Sequence, residues 1–399
     1  MNNSLESATL RSSTILNLRK KNNLPVYNGG LGANPLKQHS LLINTLKENA
    51  EKKEYIAPTG ITKLNQQISK IYSTNNVLVG NGLKEMIFVL LLAWKYDVIL
   101  VTPCWVSYIE QTKILNKTTH YIKTNIQNNF KLTPQLLEEN IKKINKPKLL
   151  FLNNPTNPTG AVYSKEELIS IAKICKKYDI VVFADEIYID IVHNNNETVA
   201  FRNLYSKTIS GSSLSKNFGC GGYRVGWLTF PDNLKDIYNQ AHMISSSTYS
   251  CASHCLQEVA YQALLYPKDL EKFLFIQKFI FTEVAKVVFT KFNSIGIKTS
   301  RPEGAWYIFL DFNDFKNKLL EKNITNDQDL FISLINDIGL ITVPGTSFGY
   351  NGLYLRYSIV DLYFEKNNCV EDLNKDDINI ESLTKNILKG IDQLEKWLN

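Results

Sequence analysis

Long apolar runs are missing from this 399-residue chain. The longest, Met86 to Trp94, falls far short of a membrane span, which needs about 20 residues, and reads as a buried helix. A basic tract is missing too. Lys and Arg total 45 against 38 Asp and Glu, a net charge of +7 carried by scattered lysines. That excludes the dense cationic patch that tracks nucleic acid and leaves solubility as the reading. The six cysteines show no CxxC and no regular framework, and the five histidines do not cluster. Neither a disulfide scaffold nor a metal site is expected, and free thiols in a reducing cytoplasm fit. Cys251 and Cys255 could share a helix face, but a metal would need further ligands. The opening MNNSLESATLRSS holds no apolar core, so a secretory leader is not expected. No GxxxxGK[ST] loop is present, and no GxGxxG opens a helix after a strand, which disfavours a Rossmann dehydrogenase.

What is present points to an α/β protein. The length fits two domains, or one large domain and a lobe, and 44% hydrophobic residues suffice for a sizeable core. Residues 1–25 read as a loosely held arm. Val26 to Pro35 is a glycine-rich loop, followed by helices near 40–52 and 63–72. Val77–Gly80, Val98–Thr102, Leu149–Leu152 and Ile180–Phe183 read as strands separated by helices. Unbroken apolar strands of this kind suggest a parallel sheet covered on both faces. Ser164 with Glu167 forms a capping box for the helix that follows. After Pro267 a long helix runs to about Phe292. Residues 302–310, 341–348 and 353–358 then read as a smaller α+β lobe, 365–382 as a polar surface excursion, and a last helix starts near Ile380.

The chemistry concentrates in SKTISGSSLSKNFGCGGYRVGW, which follows Tyr205. Lys216 stands among Ser213, Ser215 and glycines, with Arg224 eight positions on. A lysine amine can form an imine with an aldehyde, and hydroxyls with a guanidinium can grip a phosphate. A cofactor that is both aldehyde and phosphate is pyridoxal 5'-phosphate (PLP). Val77–Gly80 followed by Asn81, Gly82, Leu83 and Lys84 makes a second anion site, from free N–H groups at a helix start. Ligands of open α/β sheets bind beyond the carboxyl ends of the strands. Trp105, Asn157, Asp185 and Lys216 all lie at such ends, so one cleft can collect them. Trp105 there either stacks on a flat ring or is core.

On these residues the chain resembles the class I/II PLP-dependent aminotransferases of fold type I, the aspartate aminotransferase superfamily, from about residue 26 to its C-terminus. The carriers are the SxSK…GxRxG arrangement, Asn157-Pro158-Thr159-Gly160, Asp185-x-x-Tyr188 and Arg356, in that family's order. The resemblance implies a mainly parallel, helix-flanked large domain at 46–290. A small α+β domain, built from 1–45 and 291–399, would close over the active site. It implies a homodimer with shared active sites, and no nucleic-acid or membrane partner. With a short N-terminal arm, a fused DNA-binding head is not expected. The reaction implied is transfer of an amino group between an L-amino acid and a 2-oxo acid such as 2-oxoglutarate. A PLP lyase or decarboxylase, or a PLP-binding protein without turnover, remains open on the same fold.

Residue by residue, Lys216 resembles the lysine that holds the cofactor and moves the Cα proton. Asp185 resembles the partner of the pyridine nitrogen, and Asn157 and Tyr188 the pair on the ring hydroxyl. Trp105 takes the place of the stacking aromatic. Gly82, Leu83, Lys84, Ser213, Ser215 and Arg224 fall where the family grips the cofactor. Leu83 departs from a hydroxyl residue and can offer only its N–H. Tyr55 resembles the tyrosine that reaches the partner subunit's cofactor phosphate, or is a core tyrosine. Arg356 matches the arginine that clamps the substrate α-carboxylate, with Gly32 and Asn157 beside it, which weighs against decarboxylation. Lys84 lines up with a lysine that reaches a distal carboxylate, or is a solvated lysine. An aromatic lining of Tyr27, Trp105 and Trp306 would equally suit an aromatic substrate.

Overall fold

The computed structural model describes residues 8–194, 198–364 and 370–399. Cys369 and the first part of the acidic excursion lie outside the described residues. Seven strands form the main sheet: β1 (Asn76–Gly80), β2 (Asp97–Thr102), β3 (Thr119–Lys123), β4 (Lys148–Asn153), β5 (Val181–Asp185), β6 (Thr208–Ser213) and β7 (Gly226–Phe230). Their spatial order is β1-β7-β6-β5-β4-β2-β3, parallel except that β7 runs against both its neighbours. β1, β4, β5, β6 and β7 are buried almost throughout, as continuous apolar runs covered on both faces require.

The connections explain the coverage. Helix α1 (Leu83–Ala93) is apolar on most of its circumference and is buried at seven positions, so it must lie inside the molecule. Helix α2 (Val106–Ile114) follows β2 directly. Helix α3 (Lys165–Lys177) begins with the expected capping box: Ser164 accepts from the Glu167 N–H and Glu167 accepts from the Ser164 N–H. Helix α4 (Lys268–Ser294) buries a stripe from Leu270 through Phe273, Ile280 and Val284 to Phe292 and packs on helix α5 (Ile380–Leu398). Gln277 is a buried polar residue within that stripe.

A second, antiparallel sheet contains β8 (Lys298–Thr299), β9 (Tyr307–Asp311), β10 (Val343–Pro344) and β11 (Tyr354–Ser358), in the order β10-β11-β9-β8. The strand expected from residue 302 starts only at Tyr307. Before it the chain turns at Ala305 (φ 52°) and makes a single bridge from Gly304 to Val192. Phe309 pairs with Arg356, so Tyr307, two residues earlier on β9, shares a sheet face with Arg356. Residues 27–28 pair in parallel with 340–341. The N-terminal arm is more ordered than expected. It forms a helix, Ala8–Lys21, whose Arg19 donates to the carbonyls of Pro25 and Ile335. No helix among the described residues is long and apolar enough to cross a membrane.

Candidate active site

A cavity of about 460 Å³ opens where the carboxyl ends of β2, β4, β5 and β6 meet the second sheet. The strand ends are level there: Asn153 pairs with Asp185, and Asp185 with Gly211. Asp185, the last residue of β5, is only 3% exposed. One carboxylate oxygen accepts the Ile187 N–H at 3.1 Å and the other accepts the Tyr108 hydroxyl. Burial pushes its pKa up to about 6; the bonds from Tyr108 and Ile187 and the charge of Lys216 pull the other way. The site therefore invests two donors in keeping a buried carboxylate ionised at neutral pH.

The anion cradle lies beside it. Gly82 has φ 89°, a left-handed value that glycine tolerates, and α1 starts at Leu83 without a side-chain cap. In its first turn the Glu85 N–H donates to the Gly82 carbonyl, and those of Leu83 and Lys84 remain for a ligand. A Cβ on Gly82 would strike the Arg224 guanidinium, which donates to the carbonyls of Gly221 (2.9 Å) and Asn81 (3.0 Å). Gly221, Gly222 and Ser215 complete this end of the lining.

The other wall belongs to the second sheet and the N-terminal loop. Arg356 is 1% exposed, donates to Asn157 Oδ1 at 3.3 Å and to the Gly30 carbonyl, and leaves a buried Nε without a partner. Its guanidinium lies 4.7 Å over the Tyr307 ring and 5.2 Å from the Phe348 ring. Among the described residues no carboxylate pairs with this buried cation, so it is poised for an anion from outside. Lys216 Nζ donates to the Gly32 carbonyl at 2.6 Å. Its peptide is held from behind, because Gln277 Nε2 donates to the Asn217 carbonyl at 2.8 Å and the Asn34 amide donates to the Lys216 carbonyl. Gly32 packs so closely on the Tyr307 hydroxyl that a Cβ would overlap it. Gly32→Ala is thus expected to lower stability by about 1–3 kcal/mol and to raise KM. A melting curve and steady-state kinetics check both.

Of the residues singled out from the sequence, Gly32, Leu83, Lys84, Trp105, Asn157, Asp185, Tyr188, Ser215, Lys216, Arg224 and Arg356 line this one cavity, with Gly82 at its edge. Ser213 does not: it is buried behind the wall and accepts the Ser215 N–H at 3.2 Å. Tyr55 is 91% exposed and lies away from the cavity, which overturns the core alternative. Trp306 and Tyr27 are not lining residues either. Trp306 is fully buried against Tyr188 and Phe281, and Tyr27 packs on Gly390 of α5. Two phenols escaped the sequence reading. Tyr108 lies one helical turn beyond Trp105, where i,i+3 spacing places both on one side. Tyr307 faces the cavity in place of its neighbour Trp306.

The profile of the family "Aminotransferase class I and II" matches residues 27–362, and the chain belongs to that family. Among curated relatives, the asparagine–oxo-acid transaminase of Streptococcus mutans is 29% identical over 311 residues, 74% of this chain and 76% of that one. The probable aspartate/prephenate aminotransferase of Rickettsia conorii is 30% identical over 320 residues, 78% of this chain and 76% of its own. The aspartate aminotransferase of Thermus thermophilus solved with maleate superposes with a TM-score of 0.84 at 21% identity, over 98% of this chain and 96% of that one. That likeness confirms the fold. The protein is a transaminase: it moves an amino group between an amino acid and a 2-oxo acid.

Proposed function

We propose that this transaminase works with pyridoxal 5'-phosphate and that one of its substrate pairs is acidic, of the aspartate or 2-oxoglutarate type. The observation that carries the reading is the charge inventory of the cavity. Lys84, Lys216, Arg224 and Arg356 face a single lining carboxylate, Asp185. The donor set fits the cofactor. The uncapped start of α1 and Arg224 suit a phosphate, Asp185 suits a ring cation, and Trp105 offers a flat face. When bound, pyridoxal phosphate supplies an electron sink for the carbanion at the substrate Cα.

The chain's own residues do the rest. Lys216 Nζ would hold the aldehyde, and its amine is the group placed to move the proton at Cα. Asp185 would balance a protonated ring nitrogen, and Tyr188 with Asn157 would hold the ring oxygen. Arg356 takes the α-carboxylate in a two-pronged grip, with Gly32 beside it, which orients Cα over Lys216.

Lys84 is the candidate for a distal carboxylate. Its ammonium lies 5.3 Å over the Trp105 ring. Burial draws its pKa down, and Arg224 and Lys216 do so further, while Glu110 pushes it back up. A substrate carboxylate would relieve that crowding of cations. Lys84→Ala is expected to lower kcat/KM for aspartate and glutamate roughly 10- to 100-fold, the worth of a charged hydrogen bond, and to leave neutral donors nearly unchanged. Equal losses for both would remove Lys84 from specificity.

The deciding experiment for the reaction is a panel of single half-reactions. Keto acid with pyridoxamine phosphate left on the protein supports the proposal, and ammonia release with pyridoxal phosphate intact would favour a lyase. The division into a large domain, 46–290, and a closing small domain, 1–45 with 291–399, is supported by Gly32 and Arg356, which lie on the small-domain side of the cavity. A homodimer with shared sites is supported by the exposed Tyr55, free to reach a partner's cofactor phosphate. A cytoplasmic location is supported by the unpaired state of the five described cysteines.

A further inference from the structure

Tyr307 has no role in the reading above, yet it touches both halves of the site. Its ring is the platform under the Arg356 guanidinium, and its hydroxyl is 2.8 Å from the hydroxyl of Tyr188. Gly32 packs against that hydroxyl and fixes its place. Both phenols are buried, and Tyr188 is further walled by Trp306 at 5.4 Å. We propose that Tyr307 is a positioning residue with two separable parts: its hydroxyl donates to Tyr188 and so strengthens Tyr188 as a donor to the cofactor's ring oxygen, while its ring supports Arg356 beneath the substrate carboxylate. This rests on pyridoxal phosphate being the cofactor.

The direction of the shared bond follows from the count of protons. Two phenols can share only one proton between them, so one must accept. The O–H of Tyr188 is the one assigned above to the cofactor's ring oxygen, so across the 2.8 Å contact Tyr307 gives the shared proton and Tyr188 accepts it. Tyr188 then keeps its own O–H for another acceptor, and accepting one bond polarises it to give a stronger one.

Tyr307→Phe and Tyr307→Leu separate the two parts. Each variant is loaded with pyridoxal phosphate and compared with the wild type in three measurements: cofactor Kd, the pH midpoint of the cofactor's visible absorbance, and KM for an amino acid. Phe keeps the ring and removes the hydroxyl. A weaker Tyr188 donor stabilises the ring oxygen's negative charge less, so the midpoint should rise by about one pH unit and Kd should rise severalfold. KM should change less than about twofold. Leu removes the platform as well, and KM should rise about tenfold further, the effect of losing a desolvated cation–π contact. A midpoint that Phe leaves in place overturns the hydroxyl's role. A KM raised as much by Phe as by Leu overturns the division of labour. A wild type that takes up pyridoxal phosphate without a visible band overturns the cofactor reading itself, which distinguishes that failure from this one.

Discussion

Lys216→Ala is expected to lower turnover by about a thousandfold or more. The residue has two tasks, and alanine performs neither. As the proton carrier at Cα it contributes an effect of roughly 10²–10⁴, and as the amine that holds the aldehyde it fixes the cofactor in register. The surrounding structure should survive. Lys216 is only half-buried, and its Nζ makes one hydrogen bond, to the Gly32 carbonyl. Its backbone is held separately by Gln277 and Asn34. Borohydride reduction followed by peptide mass spectrometry should place the label on Lys216 in the wild type and nowhere in the variant. Small primary amines should restore part of the variant's proton transfer. Lys84 is the other amine lining the cavity. A label on Lys84 in the wild type would refute the assignment.

The strand ends were legible in the sequence because each carries a run of apolar residues that stops at a polar one. β5 ends at Asp185 and β4 at Asn153, so the cleft beyond them follows from the rule for open parallel sheets. Lys216 and Arg224 were legible from composition alone: small hydroxyl and glycine residues around two cations fit a phosphate aldehyde. Tyr307 was not. In a strand, side-chain parity depends on where the strand begins, and an expected start at 302 gives no warning of the left-handed turn at Ala305. The turn resets the alternation, so Tyr307 rather than Trp306 faces the cavity. β7 and β3 were missed for a different reason. β7 follows the glycine-rich turn without an α-helix between, and β3 is an edge strand with three of its five residues polar. Tyr108 was not legible, because its partner Asp185 lies 77 residues away and only the fold brings them together.

Asp185→Asn should separate stability from activity, and in opposite directions. The folded carboxyl has a pKa near 6, above the ordinary 3.8, with burial the main cause. A raised carboxyl pKa means that the folded chain binds its proton more tightly than the unfolded one. The cofactor-free protein therefore loses stability as pH rises from about 4 to about 6 and carries the full cost above that. A shift of two units corresponds to about 3 kcal/mol. Asparagine is neutral at every pH, but it can accept from Tyr108 or Ile187 with one oxygen only, which offsets part of the gain. The cofactor-free variant should thus melt higher than the wild type at pH 7, by an amount equivalent to roughly 1–2 kcal/mol, with the advantage gone near pH 4. Turnover should fall about a thousandfold, because a charge pair about 4 Å apart, hydrogen-bond contact, is worth roughly 4 kcal/mol at an effective dielectric near 20. Added pyridoxal phosphate should then raise the melting temperature of the wild type more than that of the variant, since only the wild type offers the ring a counter-charge. A variant that melts lower by the same margin at every pH would mean that Asp185 is kept for its hydrogen bonds. The opposite pattern means that Tyr108 and Ile187 hold a charge in place against its own burial, for a cation that arrives with the cofactor.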